Sequence, residues 1–252
     1  MTYCLGILSK DGIAGLADTR ITSGNDTTVA KKIFTVQRKN HSFFIMTSGL
    51  RSVRDKALTY FTEVVEDDDE SFNKLYKAVN KFGDQVKRVA DEDKASIEDA
   101  GMYFNLFAIV GGQLEKDEAP KLYLLYPQGN WIEIGPGTPY VIIGNTGFGN
   151  PILKRSITYD SPLEFGLKSG FLSFDATRIS ANDVDYPIDT IVLKRNTFNM
   201  IEHRFSEKDL GHISEFWNSR LKDGIDKIPA VALKRAFEEE DVQMSITLKN
   251  EA

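Results

Sequence analysis

Thr2 follows Met1 directly, and a small residue in second position is the context in which the initiator is normally removed. Removal leaves a hydroxyl and a free α-amine on one residue, one of the few ways to activate an alcohol nucleophile without a histidine. The Oγ would attack a carbonyl carbon while the amine takes the proton, directly or through a water. An α-amine has an ordinary pKa of roughly 7.7–8.0, which suits a base working near neutrality. Met-Thr alone is a weak signal, because many chains begin so. Three downstream patterns give it company: Ala17-Asp18-Thr19-Arg20, Lys31-Lys32-Ile33-Phe34 and Thr47-Ser48-Gly49.

The elements that must position these residues can be read from hydrophobic period and turn chemistry. Residues 2–8 read as a strand, Asp11-Gly12 as a hairpin turn, and Ile13 to Ala17 as a second strand ending on Asp18. A polar stretch leads to Lys31, and the apolar run from Phe43 to Met46 leads into Ser48 and Gly49. Leu50 to Val65 reads as a helix, and the acidic run Glu66 to Glu70 as a solvated connection. Phe72, Leu75, Tyr76, Val79, Phe82, Val86 and Val89 then step by three and four, a long amphipathic helix ending near Asp91. Strands follow over Met102 to Val110, Leu122 to Tyr126, Trp131 to Ile134 and Tyr140 to Ile143, with a turn at Pro127-Gln128-Gly129-Asn130. Helices over Pro151 to Arg155 and Leu163 to Thr177, strands over Asp189 to Lys194 and Phe198 to His203, and a helix over Leu210 to Leu221 complete the pattern. Pro229 starts a short helical pattern ending at Glu240. Asp241 to Ala252 shows little apolar periodicity and reads as a tail, frayed or docked on a neighbour. Strand pairs alternating with helix pairs pack as two sheets face to face with helices outside. The expected domains are 1–222, and an extension over 223–252 formed by the short helix and tail.

The order of terminal Thr, strand, turn, Ala-Asp-x-Arg, Lys-Ile-Phe and Ser-Gly resembles the proteasome β-subunit family of N-terminal-nucleophile hydrolases. Met1-Thr2-Tyr3-Cys4, Gly149-Asn150-Pro151-Ile152-Leu153 and Pro187-Ile188-Asp189 look most like its bacterial Anbu group. The resemblance covers roughly the first 220 residues and is strongest in the N-terminal third. It implies an α+β fold, the four-layer αββα sandwich, and a homo-oligomeric ring or helical stack with sites facing an inner cavity. It also implies roles. Thr2 is the nucleophile, and Lys32, rather than Lys31, is the cation that lowers the pKa of hydroxyl and amine. Neighbours on a strand face opposite sides, so only one of the two lysines can point into the site. Asp18 keeps that lysine charged. Gly49 offers its N–H to the oxyanion, a donor typically worth about 3–4 kcal/mol, and Ser48 beside it helps bind substrate. Arg20 is assigned to structure, with a possible pairing to Asp18.

Two supporting positions depart from the family pattern. Where the family has Gly-Ser-Gly, this chain has Gly144-Asn145-Thr146-Gly147; where it has Asp-x-x-Ser, this chain has Ser180-Ala181-Asn182-Asp183. Asn145 could still hydrogen-bond and Asp183 could still bear charge. The expected function is therefore a threonine-type peptidase or amide hydrolase. An amidase or amide transferase on a small peptide-like substrate shares the chemistry, and a non-catalytic assembly subunit is the rival from another class. Activity should rise with pH as the amine loses its proton.

Composition closes other routes. The chain has 252 residues, 41% of them hydrophobic, enough for one large domain or two small ones. A net charge of −6 and a pI near 5.2 argue against an extended phosphate-binding surface, so no nucleic-acid partner is expected. Cys4, the single cysteine, fits a reducing cytosol and reads as a small buried residue rather than a spare thiol at the pocket wall. Residues 1–20 make neither a signal peptide nor a membrane span, so a cytoplasmic location is expected. His41, His203 and His212 have no metal-ligand spacing, and the glycines from Gly144 to Gly149 fit no nucleotide loop, so neither metal nor cofactor is expected. The sequence leaves an ATPase partner open.

Overall fold

A computed structural model describes residues 2–23, 26–67 and 72–230. Met1, the second half of the acidic run and the tail from residue 231 onward lie outside the described residues. The chain divides into two compact units, Met1–Ser214 and Glu215–Ala252.

The first unit opens with the hairpin β1 (Tyr3–Ser9) and β2 (Gly12–Asp18). Its turn is Lys10-Asp11, one residue earlier than the Asp-Gly signal suggests, because Ser9 pairs with Gly12. Gly12 is instead the first residue of β2, at φ +152°, where a Cβ would sit 2.2 Å from the Leu193 carbonyl oxygen. A hairpin missed in the sequence follows, β3 (Arg20–Ser23) with β4 (Asp26–Val29). Its polar residues leave no apolar alternation to read. Next come β5 (Ile33–Arg38), β6 (His41–Gly49), α1 (Arg51–Asp67) and α2 (Leu75–Asp99). Then β7 (Leu106–Leu114), β8 (Lys121–Leu125), β9 (Trp131–Glu133), β10 (Tyr140–Gly144), α3 (Asn150–Ser156) and α4 (Leu163–Arg178) follow, ahead of β11 (Ile188–Lys194), β12 (Met200–Phe205) and α5 (Glu207–Asp226).

The helix α2 runs two turns past the expected Asp91. Those turns carry little apolar signal; Glu92 and Asp93 hold Lys56 of α1 at 2.7 and 2.8 Å, and Ile97 is buried. Phe72 precedes the helix, whose first N–H, that of Leu75, is accepted by Asp117 at 2.9 Å. Met102 to Asn105 precede β7 rather than joining it. The last strand begins two residues later than expected, after a turn with Asn196 and Phe198 at positive φ.

Two five-stranded antiparallel sheets result, β10-β1-β2-β11-β12 and β5-β6-β7-β8-β9, with β3-β4 as a third, smaller one. Alternation along β1 decides what faces what. Tyr3, Leu5 and Ile7 enter a cluster with Leu153, Phe171 and Phe174 of α3 and α4. Cys4 and Leu8 enter a second cluster with Phe44, Met46, Ile109 and Leu122 of the other sheet. A third cluster joins Phe43, Ile45 and Val110 to Phe61 of α1 and Val79, Phe82 and Val86 of α2. In the second unit, the stretch of α5 from Glu215 onward exposes Phe216, Leu221 and Ile225. Among the described residues no helix is long and apolar enough to cross a membrane.

Candidate functional site

Thr2 precedes the first strand, so its surroundings are set by what β1 pairs with. β10 runs antiparallel beside β1 with Tyr3 opposite Gly144, and the Asn145 N–H donates to the Thr2 carbonyl at 2.7 Å. Gly144 is at φ +88°, and a Cβ there would lie 1.9 Å from the Thr2 carbonyl oxygen and 3.2 Å from Ser48 Oγ. Only glycine permits this approach. Thr2, Gly144, Asn145 and Ser48 are thus neighbours, and Gly49 follows Ser48 at the end of β6.

Gly49 has the left-handed backbone that favours glycine, φ +138°, with a Cβ position 2.1 Å from the Asn105 carbonyl oxygen. The same oxygen accepts the Leu50 N–H at 2.9 Å, which fixes the strand-to-helix junction. Gly49 is exposed.

On the other side of β1, the Tyr3 N–H donates to Asp18 Oδ1 at 2.8 Å, and Lys32 Nζ donates to the same oxygen at 2.7 Å. Both charged side chains are buried, Lys32 at 4% and Asp18 at 0% exposure. Burial raises the Asp18 carboxyl above its ordinary range, against the pull of Lys32 and of the Tyr3 and Arg20 amides. Asp18 Oδ2 is buried without a hydrogen-bond partner. The lysines do divide: Lys31 is half-exposed on Glu202, Lys32 is inside, and both stand just ahead of β5 rather than within it. The Arg20 guanidinium pairs with Asp185 at 3.1 Å rather than with Asp18.

Cys4 is fully buried and donates to the Thr47 carbonyl at 3.8 Å; burial pushes its thiol pKa up, which removes it as a nucleophile. Ser180 follows α4, is exposed, and donates to the Ala176 carbonyl at 2.8 Å. Asp183 is half-buried in the turn from Ala181 to Val184. No group of His, Cys, Asp and Glu among the described residues could hold a metal ion.

Two contributors escaped the sequence. One is the Tyr3 amide, which ties the residue after Thr2 to the Asp18–Lys32 pair; the rule that a buried N–H must be satisfied was the available signal. The other is Ser173 of α4, fully buried and accepting the Tyr3 hydroxyl at 2.7 Å. Gly149 packs on that same serine, where a Cβ would meet Ser173 Oγ at 2.1 Å. No sequence signal marks a lone helix serine for this task.

No protein-family model and no curated protein matches the chain. Solved structures do. An Anbu (Gly-1) mutant from Hyphomicrobium sp. strain MC1 is 30% identical over 91% of this chain and 98% of its own, with a TM-score of 0.83. The helical assembly of the Anbu complex from Pseudomonas aeruginosa is 27% identical over 90% of this chain and 97% of its own, at TM-score 0.84. Anbu (ancestral β-subunit) from Yersinia bercovieri, at 24% identity, TM-score 0.83 and coverage of 90% and 97%, shares the fold.

Proposed function

The chain belongs to the proteasome-related Anbu family, and on that premise we propose that it is a threonine-type amide hydrolase working within a self-assembled oligomer. The observation that carries this reading is the buried Asp18–Lys32 pair, anchored through the Tyr3 amide to the residue beside Thr2. With Met1 removed, Thr2 Oγ attacks the carbonyl carbon of an amide and its proton passes to the α-amine. The Lys32 ammonium lowers the pKa of both groups. The Gly49 N–H, with Ser48 beside it, stabilises the developing oxyanion. The amine proton goes to the leaving nitrogen as the C–N bond breaks, leaving an ester on Thr2. A water deprotonated by the freed amine then hydrolyses that ester. Asn145 serves by holding the Thr2 carbonyl, and Asp183 by its charge.

The packing of α1 and α2 on one sheet and of α3 and α4 on the other supports a four-layer αββα order. We read the oligomer as a ring or helical stack of identical subunits, because the relative from Pseudomonas aeruginosa forms a helical assembly, and from the sequence of residues 1–20 we place it in the cytoplasm. One observation favours a non-catalytic subunit instead. The Ser180 hydroxyl, a proposed support for Thr2, is taken up by the Ala176 carbonyl.

The deciding experiment treats Met-processed protein with an epoxyketone, which closes a ring on hydroxyl and amine together, and maps the adduct by mass. The expected result is a stable adduct on Thr2, absent in Thr2→Ala and slower in Lys32→Ala. No adduct despite confirmed Met1 removal would turn the assignment to the non-catalytic subunit.

A further inference from the structure

β10 is an edge strand: it pairs with β1 and with nothing else among the described residues. The Leu8 N–H donates to Pro139 and the Asn145 N–H to Thr2, so the odd-numbered residues 139 to 145 turn their backbone groups toward β1. By alternation, the N–H and C=O of Tyr140 and Ile142 point outward, away from the sheet. A pocket of about 580 Å³ lies along this free edge, lined by Thr138, Tyr140, Ile142 and, from α3 and its C-terminal end, Asn150, Lys154 and Ile157. Tyr140 donates to Asn150 Oδ1 at 2.9 Å and ties the two walls together.

Sheet edges invite foreign strands unless charge or shortness protects them. The other edges of the two large sheets are protected: β12 carries Glu202, His203 and Arg204, β9 has three residues including Glu133, and β5 ends in Arg38. β10 reads Tyr-Val-Ile-Ile-Gly, with no charge at all. We propose that this groove is a strand-docking site, and that its occupant is residues 242–248 of a second copy of this chain.

Counted at period two rather than at the helical period, the C-terminal stretch is not patternless. Val242, Met244, Ile246 and Leu248 alternate with Gln243, Ser245, Thr247 and Lys249, the signature of a strand with one apolar face. Such a segment is an aggregation hazard when unpaired, and so is the β10 edge. Each covers the other. Charge agrees as well. Glu238, Glu239, Glu240 and Asp241 directly precede the strand pattern, and Lys154 on the groove wall has no ion pair among the described residues. Residues 231–241 form an eleven-residue tether from Ala230, about 16 Å long as the helix the sequence suggests and up to about 40 Å when extended. Edge and tail are different patches of one chain, so their contact is head-to-tail and propagates into a ring or helix. The inference stands whether or not Thr2 is a nucleophile.

The test mixes full-length chains labelled with ¹⁴N and ¹⁵N, lets them re-equilibrate, and joins touching amines and carboxylates with a zero-length carbodiimide. Cross-links from Lys154 to residues 238–241 are expected, with mixed-isotope pairs among them. A Met244→Pro/Ile246→Pro chain, which cannot donate to a ladder at those positions, should lose them at least about fivefold. Its Thr2 labelling should be that of the unaltered chain. Absence of these cross-links, same-isotope pairs only, or yields indifferent to the prolines would each overturn the proposal.

Discussion

Asp18 sets the terms at the scale of single residues. Its Oδ1 accepts both the Tyr3 amide and the Lys32 ammonium, so one atom couples the start of the chain to a buried cation. Removing one partner of such a pair leaves a charge uncompensated and costs about 3–5 kcal/mol, so Asp18→Ala should lower the urea midpoint strongly. The pH dependence has a definite sign. The folded carboxyl lies above its unfolded value because burial wins. The native state therefore keeps a proton that the unfolded chain releases. That stabilisation is fully present below the ordinary carboxylate range of roughly pH 4 and is lost as pH rises through the raised value. Asp18→Asn has no proton to release there, so its deficit in urea midpoint should shrink as pH rises from 4 to 7. A deficit that grows instead would mean that Lys32 outweighs burial and holds the carboxyl below its ordinary range. These residues were legible only as types in an order. Asp18 and Lys32 came from resemblance to a family; that one oxygen serves two donors, and that Ser173 takes the Tyr3 hydroxyl, follows from elements distant in sequence meeting in space.

At the scale of elements, the candidate site is the place where β1 begins and β10 and β6 end. Gly144 and Gly12 stand at opposite ends of β1's pairings, and each excludes a Cβ by close contact with a backbone carbonyl oxygen, at 1.9 and 2.2 Å. Alanine at either should destabilise, but only at Gly144 is the obstructed oxygen that of Thr2. Gly144→Ala should slow epoxyketone labelling at least about tenfold, in line with a misplaced reacting group. Gly12→Ala should lower the melting temperature and leave labelling of the folded fraction unchanged. Equal labelling losses in the two variants would uncouple Gly144 from the site. Strong periodicity made most of α2 readable, and a continuous apolar run marked the middle of β6, whereas the last two turns of α2 were not readable. Glu92 there is engaged by Lys56 foremost, and by Tyr60 and Arg88, which hold its carboxyl low, at about 2. Tertiary ion pairs of this kind leave no hydrophobic trace in a sequence. The β3-β4 hairpin was missed for the same lack of apolar signal.

At the scale of the whole molecule, residues of the two large antiparallel sheets meet in one shared apolar cluster. If copies associate only when folded, unfolding must break contacts between chains as well as within them. The melting temperature should then rise with protein concentration, and calorimetry over a hundredfold range of concentration would show it. A flat response would separate folding from assembly. Cys4 has a practical consequence in the same frame. The chain's only thiol is wholly enclosed between the sheets and disfavoured as thiolate, so maleimides and spin labels should pass over it in the native state. A cysteine placed on any exposed helix would then be the one addressable point per subunit. Fluorescence or electron-spin distances between copies could be measured without first rebuilding the core to remove a competing reporter.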